Sequence, residues 1–357
     1  SELDFCTLFN TPDPDLAGHK LPICIEVHEC GSLQTYCDSV YATFPDTDEL
    51  DLGGNFTMSA WIKPLNEANP AMMQYILSKQ SEYSGKGYWL AIIPKANFYA
   101  LELGIYIGSE NYRVVREDTT IYSGQWSFVG ASYDGQEALL FANGEQLKRS
   151  TWDDEEPLYQ RRNAQPLRVG KKFTGRIDNV MILNTSRPNV LRPSSVYGRC
   201  PAMDTDLSAD VVAYYRFNEG ATRSSSGELV SLHNAWETRD SSSNANHGFI
   251  GLFSDRVAQN KVMKIQCPAG YVISKILFAN YGSTSGVEGA FQIDGCGAPN
   301  TISIVEERCL GKSSCQIAAS QTDFGNPCRQ TSKTLAVSAI CAYPLPSLER
   351  SSWAIGD

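Results

Sequence analysis

The sequence predicts a mainly β protein, with an antiparallel sandwich first and a small disulfide-rich module at the end. Three observations carry that reading. Over roughly the first 200 residues, apolar and polar residues alternate in short runs, separated by turn signals at intervals of about 8 to 12. Helical periodicity is scarce along the same stretch. Six cysteines, Cys267, Cys296, Cys309, Cys315, Cys328 and Cys341, then crowd the C-terminal quarter among short apolar runs. An even set this dense, in a segment too short for a large core, reads as a disulfide framework.

The strands can be placed in order. Phe56-Thr57-Met58-Ser59-Ala60-Trp61-Ile62 puts Phe56, Met58, Ala60 and Ile62 on one face, the period of a half-buried strand. Tyr88 to Ile93 and Leu101 to Ile107 repeat the habit. Trp126 to Tyr133 runs into Asp134-Gly135, a hairpin turn, and Ala138 to Ala142 meets Asn143-Gly144, the strongest two-residue hairpin signal, so the pair predicts a meander. Val211 to Phe217 is a further strand, and Ser224-Ser225-Ser226-Gly227 is loop.

Composition bounds the function. With 42% hydrophobic, 20% charged and 10% aromatic residues over 357 positions, the chain builds an ordinary globular core, and its length predicts two domains. A formal net charge of -10, with no basic run longer than Arg161-Arg162 or Lys171-Lys172, argues against nucleic acid as a partner. No window approaches the roughly 18 to 20 apolar residues of a membrane span, and no basic and apolar leader follows Ser1. The chain therefore reads as a mature form or a segment of something longer. Disulfides persist in oxidising surroundings, which predicts an extracellular, secreted or cell-surface location. The sequons Asn55-Phe56-Thr57 and Asn184-Thr185-Ser186 make Asn55 and Asn184 candidate glycosylation sites there.

Residues 1–37 form a cysteine-rich segment. Cys6, Cys24, Cys30 and Cys37, together with Cys200, are an odd set, which suggests staples between the two ends of the sandwich and one intermolecular bond. The spacing of Cys24, His28, Cys30 and Cys37 fits no standard zinc finger or ribbon.

The motifs Asn55 to Pro64, Gly124-Gln125-Trp126, Tyr133-Asp134-Gly135, Asn143-Gly144, Leu167-Arg168-Val169-Gly170 and Gly175 to Val180, in that order, resemble the laminin-G-like, concanavalin A-like jelly roll over residues 38–190. The resemblance implies two curved antiparallel sheets used for glycan or protein recognition. It also raises calcium as a cofactor, with Asp178, Asp240 and Asn246 as candidate oxygen ligands; no cofactor is otherwise required. Residues 191–253 resemble the segment that opens such domains, yet follow the domain body. They supply a closing strand and linker, or a truncated second copy; the first reading is favoured.

Residues 254–343 resemble the sea-urchin-egg-lectin type, the galactose- or rhamnose-binding lectins. The residues that carry this are Cys267-Pro268-Ala269-Gly270-Tyr271, Ala279-Asn280-Tyr281-Gly282, Glu307-Arg308-Cys309, Gly311-Lys312, Cys315, Phe324-Gly325-Asn326-Pro327-Cys328, Lys333 and Cys341. The resemblance implies a small α+β or β domain with the pairs Cys267–Cys341, Cys296–Cys328 and Cys309–Cys315. It implies a sugar site in which Tyr281 and Lys333 keep the family residues. Gln259, Gln321, Asn326 and Gln330 stand where the family has Glu, Asn, Asp and Gly, and Ser283 where it has Arg. Two carboxylates thus become amides, which removes charge-assisted hydrogen bonds worth about 1.5 to 3 kcal/mol each.

Glycosidases on such a sandwich need paired carboxylates, which on one strand means alternate positions. No strand shows them, and Asp153-Asp154-Glu155-Glu156 is a contiguous run ended by Pro157, a solvated loop. The sequence therefore predicts a non-enzymatic carbohydrate-binding or adhesion protein with glycans or other extracellular proteins as partners. The alternative is a structural subunit of a filament, coat or appendage. The tail 344–357, with Leu345, Leu348, Trp353 and Ile355, would then serve self-assembly.

Overall fold

A computed structural model describes residues 33–35, 41–52, 54–65, 72–80, 87–108, 111–152, 163–192, 209–217, 222–223, 229–231, 237–267, 271–287, 289–328 and 332–342. Cys6, Cys24, Cys30, Cys37 and Cys200, the run 153–156, Gln330 and the tail 344–357 lie outside the described residues. The chain divides into two compact units: one runs to Leu252 and takes in Ser285–Gln292, the other comprises Phe253–Thr284 and the chain from Ile293 onward.

The first unit is built from β1 (Leu33–Thr35), β2 (Ala42–Phe44), β3 (Phe56–Pro64), β4 (Gln74–Gln80), β5 (Gly87–Pro94), β6 (Tyr99–Gly108), β7 (Asn111–Ile121), β8 (Ser127–Tyr133), β9 (Glu137–Ala142), β10 (Glu145–Thr151), β11 (Leu167–Val169), β12 (Gly175–Leu183), β13 (Val211–Tyr215), β14 (Thr222–Arg223), β15 (Leu229–Ser231), β16 (Glu237–Thr238) and β17 (Gly248–Ile250). One sheet has the order β1-β12-β3-β8-β9-β10, with β13 also on β12; the other has the order β16-β17-β2-β11-β4-β5-β6-β7. All the pairings are antiparallel.

Period-two alternation makes the core. Phe56, Met58, Ala60 and Ile62 of β3 and Val129 and Ala131 of β8 face Leu90 and Ile92 of β5 and Leu101, Leu103 and Ile105 of β6 in one cluster. Each large side chain buried there contributes about 1.5 to 3 kcal/mol. The meander follows from its turns: Asn143 and Gly144 both take positive φ, 50° and 85°, as a type I′ hairpin requires. Asp134 Oδ1 accepts from the backbone N–H groups of Gln136 and Glu137 at 2.9 and 2.7 Å. β13 lies antiparallel to β12, with Val180 opposite Tyr215 and Leu183 opposite Val211.

Part of the second face of each sheet is covered as well. Trp61, Phe128, Leu139 and Phe141 form a separate apolar cluster with Leu191, which belongs to the 3-10 turn Pro188–Leu191. On the other sheet, the Trp89 ring lies flat against Gly104, where any side chain would collide with it. Its indole N–H donates to Glu102 Oε1 at 2.9 Å, and Glu102 Oε2 pairs with Arg116. Lys79 is enclosed, and its ammonium meets Asp46 Oδ1 and Asp51 Oδ1 at 2.6 Å each and the Asn163 carbonyl at 2.7 Å.

The second unit contains β18 (Leu252–Ala258), β19 (Val262–Gln266), β20 (Val272–Ser285), β21 (Gln292–Gly297), α1 (Thr301–Cys309), β22 (Ser314–Ala318), α2 (Gln321–Phe324) and β23 (Thr334–Ala342). Its sheets are β18-β23-β20-β21 and β19-β22. α1 places Thr301, Val305 and Cys309 on its buried face, the i, i+4, i+8 spacing of a one-sided helix. Cys267–Cys341, Cys296–Cys328 and Cys309–Cys315 are bonded, with sequence separations of 74, 32 and 6. These are the three pairs the family resemblance implies. Closure entropy grows with loop length, so Cys267–Cys341 constrains the unfolded chain most, by about 4 kcal/mol.

Candidate functional site

Tyr281 sits in the middle of β20, paired to Leu335 of β23. It is fully buried, and its ring stacks on Phe324 with centroids 5.0 Å apart and an interplanar angle of 28°. Its backbone N–H donates to Thr301 Oγ1 at 3.2 Å, and Thr301 Oγ1 donates to the Ala298 carbonyl at 2.7 Å. These bonds tie β20 to the start of α1. The phenol hydroxyl is buried and has no hydrogen-bond partner. Burial raises the Tyr281 phenol above its ordinary range.

Phe324 is presented by a local device. Ser320 caps α2 by accepting from the Asp323 backbone N–H at 3.2 Å, and its hydroxyl donates to Asp323 Oδ2 at 2.9 Å. Asp323 is held further by Arg308, and the Arg308 hydrogen bond lowers its carboxyl below the ordinary value. Gly325 then takes φ 75°, a left-handed geometry that suits glycine and stops the turn.

The remaining sugar-site candidates lie elsewhere on the same unit. Lys333 is buried immediately before β23, and its carbonyl accepts from the Gln259 backbone N–H at 2.8 Å. Gln259 is half-buried, while Gln321, the first residue of α2, and Asn326, two residues beyond Phe324, are exposed. Asn280, next to Tyr281, donates to the Ser283 carbonyl and to Thr284 Oγ1 at 2.9 and 3.0 Å, so it shapes the turn in which Ser283 stands. The second unit thus carries the phenol, the lysine and the three primary amides that the sequence singles out, of which Tyr281 stacks on Phe324 and Gln259 bonds to Lys333 through the backbone.

The first unit's candidates are arranged differently. Asp240 Oδ1 accepts from the backbone N–H groups of Tyr214 and Ser242 at 2.8 and 2.9 Å, and Oδ2 accepts from Ser242 Oγ and the Asn246 backbone N–H at 2.6 and 2.9 Å. Asn246 donates to the Val212 carbonyl at 3.0 Å and accepts from Thr47 Oγ1 at 2.9 Å. Asp178 is buried on β12 opposite Trp61. Among the described residues, no group of three or more His, Cys, Asp or Glu side chains is placed to hold a metal ion. Asn55 and Asn184 are exposed.

Sequence reasoning missed Phe324 as the partner of Tyr281 and Lys79 as a buried cation. The first was within reach, since Phe324 stands in the quoted turn; the second depends on contacts 28 and 84 residues away and leaves no local signal.

Comparison with known proteins matches this division. A family model for the concanavalin A-like lectin/glucanases superfamily matches residues 38–189, and one for the D-galactoside/L-rhamnose binding SUEL lectin domain matches residues 265–341. The D-galactoside-specific lectin of Heliocidaris crassispina is 40% identical over 98 residues, 26% of this chain and 92% of that lectin. The L-rhamnose-binding lectin ELEL-1 of Echinometra lucunter is 36% identical over 95 residues, 26% of this chain and 92% of that lectin. Beta-galactosidase 6 of Oryza sativa subsp. japonica is 35% identical over 85 residues, 24% of this chain; the chain spans only 10% of that enzyme's length. Residues 38–189 match the concanavalin A-like lectin/glucanases superfamily model, and through its second unit the chain belongs to the D-galactoside/L-rhamnose binding SUEL lectin family.

Proposed function

We propose that the protein is a non-enzymatic, extracellular glycan-binding or adhesion protein whose second unit holds a sugar against Tyr281. The observation that carries this reading is the Tyr281 hydroxyl, buried without a hydrogen-bond partner on a ring that stacks on Phe324. Leaving such a group unsatisfied costs about 1 to 3 kcal/mol, and a buried orphan needs an explanation. A sugar hydroxyl supplies the missing partner once the side chains over Tyr281 part to admit it. Gln259, Gln321 and Asn326 then serve as amides that both donate to and accept from neighbouring hydroxyls.

Three further points support the reading. The sea-urchin lectins cover nearly their whole length on this chain, whereas the plant enzymes share only about a tenth of theirs. None of the described strands carries carboxylates at alternate positions, the arrangement glycoside hydrolysis on one strand would need. Three disulfides in the second unit suit an oxidising compartment.

The test is a glycan array probed with the full chain, followed by galactoside hydrolysis assays on the same sample. Binding to galactose- or rhamnose-terminated glycans without turnover is the expected result. Turnover, or an array without signal, refutes the reading.

A further inference from the structure

We propose that Asn55 and Asn184 form a paired N-glycosylation site at one end of the first unit's sandwich, filled before that end closes. Thr57 of β3 lies opposite Leu183 of β12, so each asparagine sits within two residues of the same pair of cross-strand partners. Adjacent strands are about 4.8 Å apart and rise about 3.4 Å per residue, which brings the two asparagines within roughly 10 Å of each other. Both are exposed.

The sequon hydroxyls are not exposed in the same way. Thr57 Oγ1 donates to the Thr185 carbonyl at 2.9 Å and accepts from the Arg187 backbone N–H at 2.8 Å. It also lies 3.1 Å from Ser132 Oγ, and Ser132 Oγ lies 2.9 Å from Ser186 Oγ. The third residues of both sequons, Thr57 and Ser186, are therefore joined through Ser132 in one chain of hydroxyls that spans β3, β8 and the segment after β12. The x position of the second sequon, Thr185, supplies the carbonyl that Thr57 uses.

That arrangement fixes an order of events. An N-glycan is transferred from a lipid-diphosphate-linked oligosaccharide. The asparagine amide nitrogen forms a bond to the anomeric carbon, the bond from that carbon to the diphosphate oxygen breaks, an amide proton is lost, and the lipid diphosphate leaves. The transferring enzyme must grip an extended sequon with its hydroxyl available. Once β3, β8 and β12 have paired, Thr57 and Ser186 are committed to each other through Ser132. Both sugars must therefore arrive on the unpaired chain. Asn55 retains a compatible setting afterwards, because with its amide nitrogen turned toward Asp134 it reaches that carbonyl at 2.7 Å, and a glycosylated amide keeps one N–H. Two neighbouring glycans would make this end of the sandwich a hydrated surface that no partner packs closely against.

The experiment is peptide mapping by mass spectrometry of the full chain secreted from a eukaryotic host, with pulse-labelling to time glycan addition against protease resistance. Glycans at both positions, one lost in Asn55→Gln, one in Asn184→Gln and both in the double variant, are expected. So is their attachment before the first unit becomes resistant. An unmodified Asn55 or Asn184 in the secreted chain overturns the paired site, and glycan addition to already resistant chains overturns the order.

Discussion

Tyr281 and Phe324 stack 43 residues apart in sequence, ring against ring at 5.0 Å. The strand that carries Tyr281 is paired to β23 from Val272 to Gly282. Phe324 comes from a four-residue helix that holds its place by the Ser320 cap and the Arg308–Asp323 ion pair. The stack therefore joins a paired strand to a short helix.

Phe324→Ala removes that support. The expected cost is about 3 to 5 kcal/mol for a large aromatic side chain deleted from a core, read as a lower urea midpoint, together with weaker glycan binding. Phe324→Leu keeps most of the volume, and its loss should stay near 1 kcal/mol. Equal stability of the Ala variant and the parent would contradict the assigned packing.

Lys79 should be far less tolerant than its chemistry suggests. Its side chain is wholly enclosed, whereas Asp51 and Asp46 keep 8% and 28% side-chain exposure, so Lys79→Met leaves two carboxylates facing a space without a cation. Breaking a buried pair in this way costs about 3 to 5 kcal/mol. Adding Asp51→Asn to Lys79→Met should recover part of the loss. Denaturant unfolding of the three proteins checks both statements.

Alkaline pH should loosen the first unit. Burial pushes the Tyr214 phenol up to about 12; Arg216 acts against the rise and Asp178 adds to it. Tyr88 and Tyr215 are raised by burial in the same sense. The folded state holds these protons more tightly than the unfolded chain, whose phenols ionise near 10. Their stabilisation is therefore complete below about pH 10 and declines as pH climbs above it, that of Tyr214 being lost toward 12 and amounting to at most about 3 kcal/mol. Tyr214→Phe forfeits the hydroxyl bond to Asn179, 2.8 Å in the parent. It should nevertheless show a shallower fall in stability over that interval, measured by urea unfolding at stepped pH.

Asp240 should behave as an internal fastener. Four protein donors already engage its two oxygens, so Asp240→Ala strands buried N–H groups of β13 and the following loop, at a cost of about 3 kcal/mol. Chelation or added calcium should leave the melting temperature of the parent unchanged. A clear rise with calcium would return Asp178, Asp240 and Asn246 to the role of metal ligands.

Much of this fold could be read in the sequence, because its strands obey period two and its turns use residues with one conformational purpose. Phe56, Met58, Ala60 and Ile62 fall together in the core, and Asn143-Gly144 closes a hairpin at positive φ. What local pattern cannot show is which distant group a side chain meets. The apolar face of Trp61 and Phe128 falls outside that period-two set, and Leu191 covers it. α1 was hidden because its buried residues, Thr301, Val305 and Cys309, are too few and too mixed to advertise a helix. At the proposed sugar site, sequence singled out Tyr281 and Lys333, while the orphaned hydroxyl and its aromatic support exist only in three dimensions.

The most direct measurement compares Tyr281→Phe with the parent for glycan affinity and thermal stability on the same samples. Removing only the hydroxyl eliminates a buried unsatisfied group, so melting should hold or rise by up to about 1 kcal/mol of stability. Affinity for the array-selected glycan should meanwhile fall at least tenfold, about 1.4 kcal/mol. Unchanged affinity in the Phe variant would make Tyr281 a core residue and contradict the proposed sugar site.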